Sequence, residues 1–426
     1  MKARLLFLLL SAAALLAAWK ITAAEETVLP PAMYQPMESV TIAVAADLHY
    51  LPPELTDHGS AFQRVIEQAD GKVMEYSEEL LEAFTEQIIA QAPDVLILAG
   101  DLTFNGERAS HETLAQKLRR IADAGIRVLV LPGNHDLENP MAAAYQEDGY
   151  RRTVSISSEE FEALYGEFGP AQASSRDDVS LSYVAELSQG LWVLAIDANQ
   201  PDTPGCVKAE TVQWAEQQLL RARESGARVL SVSHQSLLRH NALLNDGFQM
   251  ENSAALTALY QKYGVLFNLA GHLHVQHIAS QQNVTEILTS SLAVAPNQYG
   301  ILTVTENGAD YHTVPVDVSA WAKAHAKNET ALLHFEDYAA DFFYSTAYRQ
   351  AVTELTDAPD AEAMADYFAR VNAAYFAGRM DRAPRDADLL QKWRKQGSFL
   401  AAYLLQSMTA DFETNFTQYY FTGGTP

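Results

Sequence analysis

Short apolar runs alternate with longer amphipathic stretches along residues 40–317. Six runs are rich in strand-favouring residues and have the length of buried strands: TIAVAAD, DVLILAGD, RVLVLPGNHD, LWVLAID, RVLSVSHQ and VLFNLAGHLH. Between them, apolar residues recur every three or four positions, which predicts helices over 77–91, 110–124, 207–225 and 253–263. Ser77 and Ser110 are expected to cap the first two of these helices. Strands and helices that alternate in this order predict an α/β fold.

The pattern changes towards the end of the chain. From residue 286 to 316 the pattern indicates strands, and TVTENGADYHTV, at residues 303–314, predicts a β-hairpin around Asn307-Gly308. Beyond residue 318 the sequence predicts several helices and no strand, and 19 of the 41 aromatic side chains lie in the last 108 residues. This enrichment predicts an all-helical C-terminal extension over 318–426 with its own packed core. The extension is either a structural support or an element that leans over the functional face of the α/β part.

The first residues have the pattern of an export signal. Lys2 and Arg4 precede an apolar run of about 15 residues, shorter than the ~20 that span a bilayer, and Thr22 and Ala24 offer small residues for cleavage. We therefore expect a signal peptide over residues 1–24 and a linker over 25–39. The protein is then secreted, periplasmic or held at the cell surface, and it is membrane-bound only if this segment stays uncleaved.

Composition excludes several classes of function. The chain has 426 residues, with 29 basic and 54 acidic side chains and a formal net charge of −25. Such a charge opposes binding along a nucleic-acid backbone, which depends on Lys and Arg. The single cysteine excludes internal disulfides and cysteine-rich zinc modules, so any bound metal must be held by nitrogen and oxygen ligands.

Polar motifs with candidate chemistry follow five of the predicted strands. Loops at the carboxyl ends of strands in α/β sheets converge on one crevice, so distant motifs can meet there. Each motif alone is common, whereas five in this order, each after a strand, are not. They are Asp47-x-His49, Gly100-Asp101, Gly133-Asn134-His135-Asp136, His234 and Gly271-His272-x-His274.

The ordered set resembles the calcineurin-like metallophosphoesterase superfamily. The stretches GDLTFNGE, PGNHD and GHLH carry the resemblance, which extends from about residue 41 to 316, and the segment after GNHD is similar to secreted bacterial members. The resemblance implies a two-sheet β-sandwich core flanked by helices, within a catalytic domain over 40–317. It implies little about the C-terminal extension.

The resemblance also implies a pair of metal ions and their ligands. One ion would be held by Asp47, His49 and His274, with Asp101 shared between the two ions. The second ion would be held by the remaining ligands, Asn134, His234 and His272. The shared carboxylate offsets the repulsion between neighbouring cations. Oxygen and nitrogen ligands without thiolate suit Mn, Fe, Zn or Co, and the sequence does not choose among them.

Such a centre predicts hydrolysis of phosphate esters by a hydroxide held between the ions. The resemblance places His135 beside the metals, where it contacts the phosphate together with Asn134 and acts as general acid. Asp136 is expected to orient that imidazole, although it could equally cap the next turn. Arg152 is a further candidate for binding the substrate phosphate.

The sequence leaves the substrate class open. A small phosphodiester or cyclic nucleotide is our first expectation, and a phosphomonoester is the alternative. A hypothesis of another class is that the aromatic extension is a binding or assembly module on a metal-stabilised scaffold. The complete ligand set argues against it. A serine or cysteine hydrolase is not supported, because the chain has no G-x-S-x-G motif and Cys206 has no adjacent His.

Overall fold

The first of two main sheets joins strands from both ends of the described chain. The computed structural model describes residues 32–68, 70–356 and 358–422. The strand order is β15-β14-β13-β1-β2-β3, with β1, β2 and β3 parallel and the other pairs antiparallel. The strands are β1 Val40–Ala45, β2 Val95–Ala99, β3 Arg127–Leu131, β13 Gln298–Thr305, β14 Gly308–Pro315 and β15 Gln418–Thr422.

The second sheet has seven strands in the order β11-β12-β10-β9-β8-β7-β6. Its centre, β8, β9, β10 and β12, is parallel, and antiparallel strands complete both edges. A separate two-stranded hairpin, β4 Ala143–Gln146 and β5 Gly149–Arg152, comes after β3 in the chain. The strands of the second sheet are β6 Ser175–Arg176, β7 Tyr183–Ser188, β8 Leu191–Ile196, β9 Arg228–Ser233, β10 Asn268–Ala270, β11 His277–Gln281 and β12 Val284–Leu288.

The two sheets pack face to face around an apolar core. Ile42 and Ile97 of the first sheet belong to the same buried cluster as Val193, Val232 and Ile287 of the second. Both faces of each central strand are covered, which is why the sequence shows continuous apolar runs rather than an alternating pattern. Each such side chain contributes roughly 1.5–3 kcal/mol on full burial. The two-sheet core flanked by helices that the resemblance implies is therefore observed.

Helices cover the outer faces of both sheets. Two of the four predicted helices, 77–91 and 253–263, have the predicted ends, and the other two differ from the prediction by one or two residues. The predicted serine caps are wrong: Ser77 is the first helical residue, and its hydroxyl accepts a hydrogen bond from Leu51 N–H at 3.1 Å, while Ser110 lies inside its helix. The helices before residue 318 are α1 Ser60–Glu67, α2 Ser77–Gln91, α3 Arg108–Asp123, α4 Ser158–Tyr165, α5 Ala209–Ser225 and α6 Ser253–Tyr263.

The region beyond residue 318 is helical, with one exception. Its helices are α7 Val318–Ala324, α8 Thr330–Leu333, α9 Phe335–Glu354, α10 Ala361–Phe376, α11 Ala387–Trp393 and α12 Phe399–Gln406. The exception is β15, which the sequence did not predict and which pairs antiparallel with β14 in the first sheet. The aromatic side chains of this region, Trp393 and Phe368 among them, are buried in a cluster that also contains Ala270 and Leu288 of the α/β part, so the core is shared rather than separate as predicted.

The expected signal peptide over 1–24 and the first part of the linker, residues 25–31, lie outside the described residues. Among the residues that are described, no helix combines the length and the apolar character needed to cross a membrane.

Candidate metal centre

Five loops meet at one edge of the sandwich, and each follows the carboxyl end of a strand. The strands are β1, β2 and β3 of the first sheet and β9 and β10 of the second. Backbone hydrogen bonds join the loops: Asp47 N–H donates to Gly100 O at 3.0 Å, and Gly271 N–H donates to His234 O at 3.1 Å. The parallel topology thus brings together polar side chains that lie far apart in the sequence.

The first group of side chains consists of Asp47, His49, Asp101 and His274. Each offers one ligand atom, and all four atoms lie within 4.8 Å of one another. His49 Nε2 lies 3.1 Å from His274 Nε2, and His274 Nε2 lies 3.4 Å from Asp47 Oδ1. These are the residues that the resemblance assigned to one ion, together with the shared aspartate.

The second group consists of Asp101, His234 and His272, again with ligand atoms within 4.8 Å of one another. His234 Nε2 lies 3.3 Å from Asp101 Oδ2, and His272 Nδ1 lies 3.2 Å from His234 Nε2. Asn134 Oδ1 is 3.1 Å from the same His234 nitrogen. The structure therefore gathers all seven predicted ligands into two groups that share Asp101.

The spacing of these atoms fits divalent cations. Ligands about 2.0–2.2 Å from one cation lie roughly 3.0–3.5 Å apart in octahedral or tetrahedral geometry. The nearest separations between ligand atoms in both groups, nitrogen to nitrogen or nitrogen to oxygen, are 3.1–3.4 Å and fall in that range. Because one carboxylate belongs to both groups, the donor set fits a pair of neighbouring cations that share Asp101.

The electrostatics of the cluster point the same way. Burial alone would raise the pKa of Asp101, but the charges of His234 and His135 hold it well below its usual value. Burial opposes protonation of His234, yet the charge of Asp101 raises its pKa to about 9. Burial lowers the pKa of His272 to about 4 and that of His49 well below its usual value, so both rings are neutral, as metal ligands must be. A proton on His234 balances the ionised Asp101, and a cation bound by this imidazole would have to displace that proton.

Carbonyl oxygens orient two of the imidazoles. A carbonyl only accepts hydrogen bonds, so His234 Nδ1–H donates to Ala99 O at 2.8 Å, and His272 Nε2–H donates to Gly247 O at 2.9 Å. The opposite nitrogen of each ring faces the cluster. Contacts of this kind fix the tautomer and direction of metal-binding histidines.

The glycines of the motifs allow the loops to approach the ligands closely. A Cβ at Gly133 would lie 2.1 Å from Asp101 N and Oδ1, and a Cβ at Gly271 would lie 2.5 Å from Asp47 Oδ2. The ligand-bearing backbone is itself unusual, because residues other than glycine with positive φ concentrate at functional sites. Ligands with φ between 44° and 70° are Asp47, His49, Asp101, His272 and His274.

His135 lies beside the cluster with one free nitrogen. Its Nδ1–H donates to Phe104 O at 2.7 Å, which leaves Nε2 3.9 Å from Asp101 Oδ2. The backbone N–H of His135 donates to Asp101 Oδ1 at 2.8 Å. The side chain is 31 % exposed, so Nε2 can meet a molecule that enters from solvent.

Asp136 does not orient His135, and this expectation is corrected. Its buried carboxylate accepts hydrogen bonds from the N–H groups of Gly133, Leu102 and Thr103, at 2.7, 3.1 and 3.0 Å. The Phe104 carbonyl takes the predicted orienting role. Asp136 instead fixes the loop after β2 against the loop after β3, which is close to the turn-capping alternative.

Arg152 lies on the exposed strand β5 and contacts its own hairpin. Its guanidinium is 5.1 Å from the centre of the Tyr150 ring, and Nη2 lies 3.6 Å from Met141 Sδ. Within the described part of the chain, no hydrogen bond or ion pair joins it to the cluster. The structure therefore does not bring Arg152 together with the other predicted substrate-binding residues, Asn134 and His135.

The C-terminal region packs against the segment that follows His274. Gln276 N–H donates to Phe376 O at 3.0 Å, and the Gln276 side chain donates to Phe416 O at 3.1 Å. His277 Nε2 lies 3.2 Å from Asp411 Oδ2. The extension thus holds the segment that leads away from the last two ligands.

The same region also holds the loop after His234. Asn241 donates to Tyr375 OH at 3.1 Å and accepts from Ser407 Oγ at 2.8 Å. Further along this loop, the Phe248 ring lies 5.4 Å from the His272 ring. These contacts are those of a support for the ligand loops, one of the two roles left open by the sequence.

Two residues near the centre carried no signal in the sequence. Phe248 lies in a loop without a motif, and Lys72 follows an ordinary Asp-Gly turn rather than a strand. Lys72 is nevertheless 7 % exposed, and its charge acts on His49. A buried lysine cannot be distinguished from a surface lysine by composition or periodicity.

Two regions of the chain match known protein families. Residues 40–276 match the family model described as calcineurin-like phosphoesterase. Residues 317–423 match a model described as the C-terminal domain of cyclic nucleotide phosphodiesterase. The first match covers more than half of the chain and includes all seven predicted ligands.

Similar proteins include two that are each described as a probable cyclic nucleotide phosphodiesterase. The one from Vesicomyosocius okutanii subsp. Calyptogena okutanii is 25% identical over 227 residues, which are 52% of this chain and 77% of that protein. The one from Ruthia magnifica subsp. Calyptogena magnifica is 35% identical over 68 residues, 16% of this chain and 28% of that protein. Among solved structures, a dimetal phosphatase from Danio rerio aligns with 67% of this chain and 100% of its own, at 14% identity and a TM-score of 0.49.

Proposed function

Because the chain belongs to the calcineurin-like phosphoesterase family and is a metal-dependent phosphoester hydrolase, we propose that its substrates are small phosphodiesters, with cyclic nucleotides as the first class to test. The observation that carries the proposal is the pair of ligand groups that share Asp101. A carboxylate that belongs to both groups would offset the repulsion between two cations about 3.5–4 Å apart.

The residues that would hold the two cations are those of the two groups, with Asn134 added to the second. When bound, the cations supply an activated water at neutral pH and neutralise charge on the phosphoryl group. We propose Mn, Fe, Zn or Co, because the donors are carboxylate, amide and imidazole without thiolate.

The chain's own residues orient the substrate and deliver a proton. The Phe104 carbonyl keeps the proton of the neutral His135 ring on Nδ1, so a second proton binds at Nε2, which faces the cluster. The protonated ring can donate from Nε2 to the oxygen of the leaving alcohol. The Asn134 amide can donate to a phosphoryl oxygen while its Oδ1 faces His234.

Two observations favour small diesters over other esters. The C-terminal region matches the model of the C-terminal domain of cyclic nucleotide phosphodiesterase. The chain also aligns with 77% of the length of one relative that is described as a probable cyclic nucleotide phosphodiesterase. A net charge of −25 opposes long polyanions, which favours small substrates. Phosphomonoesters are the alternative, since the same centre accommodates either ester.

A panel of substrates on protein of known metal content tests the proposal. The panel contains bis(p-nitrophenyl) phosphate, p-nitrophenyl phosphate, and 3′,5′- and 2′,3′-cyclic AMP. We expect kcat/KM to be higher for the diesters than for the monoester, and Asp101→Asn to abolish turnover of all four. A monoester preferred over every diester would favour the alternative, and undiminished turnover by Asp101→Asn would refute the two-metal mechanism.

His135→Ala separates the proton donor from the metal ligands. We expect unchanged metal content and a larger loss of kcat for esters with alkoxide leaving groups than for p-nitrophenyl esters, because good leaving groups need no proton. Equal losses for both would contradict the acid role.

We also propose that the enzyme is exported. The support is the signal-like sequence of residues 1–24, with its basic start, its apolar run and its small residues near the expected cleavage position. N-terminal sequencing of protein recovered outside the cytoplasm would show cleavage near residue 24 if the proposal is right, and retention of the intact chain inside the cell would contradict it.

A further inference from the structure

The backbone of Lys72 is linked to that of Asp47 through the intervening residues Ala293 and Val294. It precedes α2 and pairs with Val294 in an isolated antiparallel bridge. Next to this bridge, Val73 N–H donates to Ala293 O at 2.8 Å, and Ala293 N–H in turn lies 3.4 Å from Asp47 O. The backbone of Lys72 is thus fixed beside the first ligand group.

The Lys72 side chain is buried over most of its surface, and its ammonium has no partner among the described residues. The residue is 7 % exposed, and across the described residues no hydrogen bond or ion pair involves its Nζ. Burial of an unpaired ammonium is costly, so buried lysines are normally paired. Lys117 shows the usual arrangement in this protein: it is also buried, and its Nζ lies 2.7 Å from Glu78 and 2.5 Å from Glu82.

The charge of Lys72 acts on the metal centre. After burial, Lys72 is the largest cause that lowers the pKa of His49. Burial also lowers the pKa of Lys72 itself, against the attraction of Asp70, Asp101 and Asp47. The ammonium is therefore close enough to interact with both buried ligand carboxylates, yet it forms an ion pair with neither.

The C-terminal region fixes the turn that precedes Lys72. Gly71 has a φ of +83°, and a Cβ at this position would lie 2.6 Å from Cδ2 of Phe343 in α9. Only glycine fits this conformation under the aromatic ring without strain. The turn is thus closely packed, and this packing holds the backbone of Lys72 in one position.

We propose that Lys72 binds a non-bridging phosphoryl oxygen of the diester substrate and of the phosphomonoester product at the metal centre, for which inorganic phosphate is a probe. The inference rests on the proposed function and goes beyond it by assigning a substrate-binding residue outside the ligand motifs. A lysine ammonium interacts with phosphate as a point charge with three donors. It therefore stabilises a dianionic phosphate more than a monoanionic diester, because Coulomb attraction scales with the charge.

The competing explanation is that Lys72 only balances the charge of the buried aspartates. The two explanations differ in what Lys72→Met would change, since methionine keeps most of the length without the charge. Loss of a phosphate contact weakens phosphate binding at saturating metal. Loss of charge balance changes metal binding and leaves phosphate binding by the loaded protein unchanged.

The test compares Lys72→Met and Lys72→Arg with the matched variant Lys117→Met, which removes a buried lysine whose ammonium pairs with Glu78 and Glu82. Metal content is measured for each protein, and binding of inorganic phosphate is measured by calorimetry at about pH 8, with no need for turnover. The KM for bis(p-nitrophenyl) phosphate is measured in parallel. We expect Lys72→Met to weaken phosphate binding by about tenfold or more at unchanged metal content, and to raise the KM of the diester by a smaller factor.

We expect Lys72→Arg to retain most of the phosphate affinity and Lys117→Met to change stability only. Phosphate binding that is unchanged in Lys72→Met, or equally weakened in Lys117→Met, would overturn the proposal, as would loss of metal from Lys72→Met. If the wild-type protein hydrolyses no phosphoester but still shows Lys72-dependent phosphate binding, the proposed function fails and the assignment of Lys72 stands.

Discussion

Replacement of Gly133 by alanine tests how tightly the loops enclose the shared carboxylate. The new Cβ would lie 2.1 Å from Asp101 N and Oδ1, whereas ordinary contact begins at 3.4 Å. Asp101 or the Gly133 backbone must therefore shift by about 1 Å, while metal–ligand distances tolerate only about 0.2 Å. Gly133 does not have a positive φ, so the collision rather than backbone strain causes the effect.

We expect Gly133→Ala to lose about 1–3 kcal/mol of unfolding free energy through overpacking, and to bind metal at least about 100-fold more weakly. Metal titration followed by calorimetry measures the affinity, and urea denaturation measures the stability. Gly149→Ala is the matched control, because the nearest heavy atom to its Cβ would be Gln146 O at 4.0 Å. Metal affinity in Gly133→Ala within threefold of that in Gly149→Ala would refute the enclosure of Asp101.

Other predictions concern residues around the centre. Asp136→Asn should lower the unfolding free energy by about 1–3 kcal/mol, because an amide leaves buried N–H donors unpaired; in the folded variant the dependence of rate on leaving group should stay as in the wild type. Burial lowers the pKa of His111 to about 3, so protonation favours the unfolded chain, and the free energy of unfolding should fall as pH drops from about 6.5 towards 3. Denaturation curves recorded at several pH values should show a weaker pH dependence in this range for His111→Gln. An unchanged dependence would contradict the assignment to His111. Chelation of metal should lower the thermal midpoint of wild type more than that of Asp101→Asn, because bound cations stabilise only the folded protein; equal shifts would contradict this. Tyr375→Phe combined with Ser407→Ala should increase hydrogen exchange in the loop around Asn241 and weaken metal binding; faster exchange without weaker binding would limit the C-terminal region to a stabilising role.

Most of the fold could be predicted because its strands are buried on both faces. The apolar runs around Ile42 and Ile97 are continuous, and the intervening helices have clear apolar stripes. β15 has no such signal: its side chains alternate between exposed and half-buried positions at the edge of a sheet. Its pairing with β14 depends on the fold of the residues between them, which local sequence does not encode.

The candidate site could be predicted where it depends on the ends of strands. Polar residues that follow parallel strands lie together at the edge formed by the carboxyl ends, and the resemblance supplied their order. Roles inferred from adjacency were less secure. Asp136 follows His135, yet its carboxylate points into its own loop and binds backbone N–H groups. Lys72 was missed because neither periodicity nor a motif reports the burial of a side chain in a turn.

The most direct test of the metal centre is anomalous X-ray scattering from crystals grown with Mn²⁺, recorded at the manganese absorption edge. We expect two peaks about 3.5–4 Å apart, one among Asp47, His49 and His274 and the other beside His234, with Asp101 between them. A single peak, or peaks remote from Asp101, would contradict the two-cation centre.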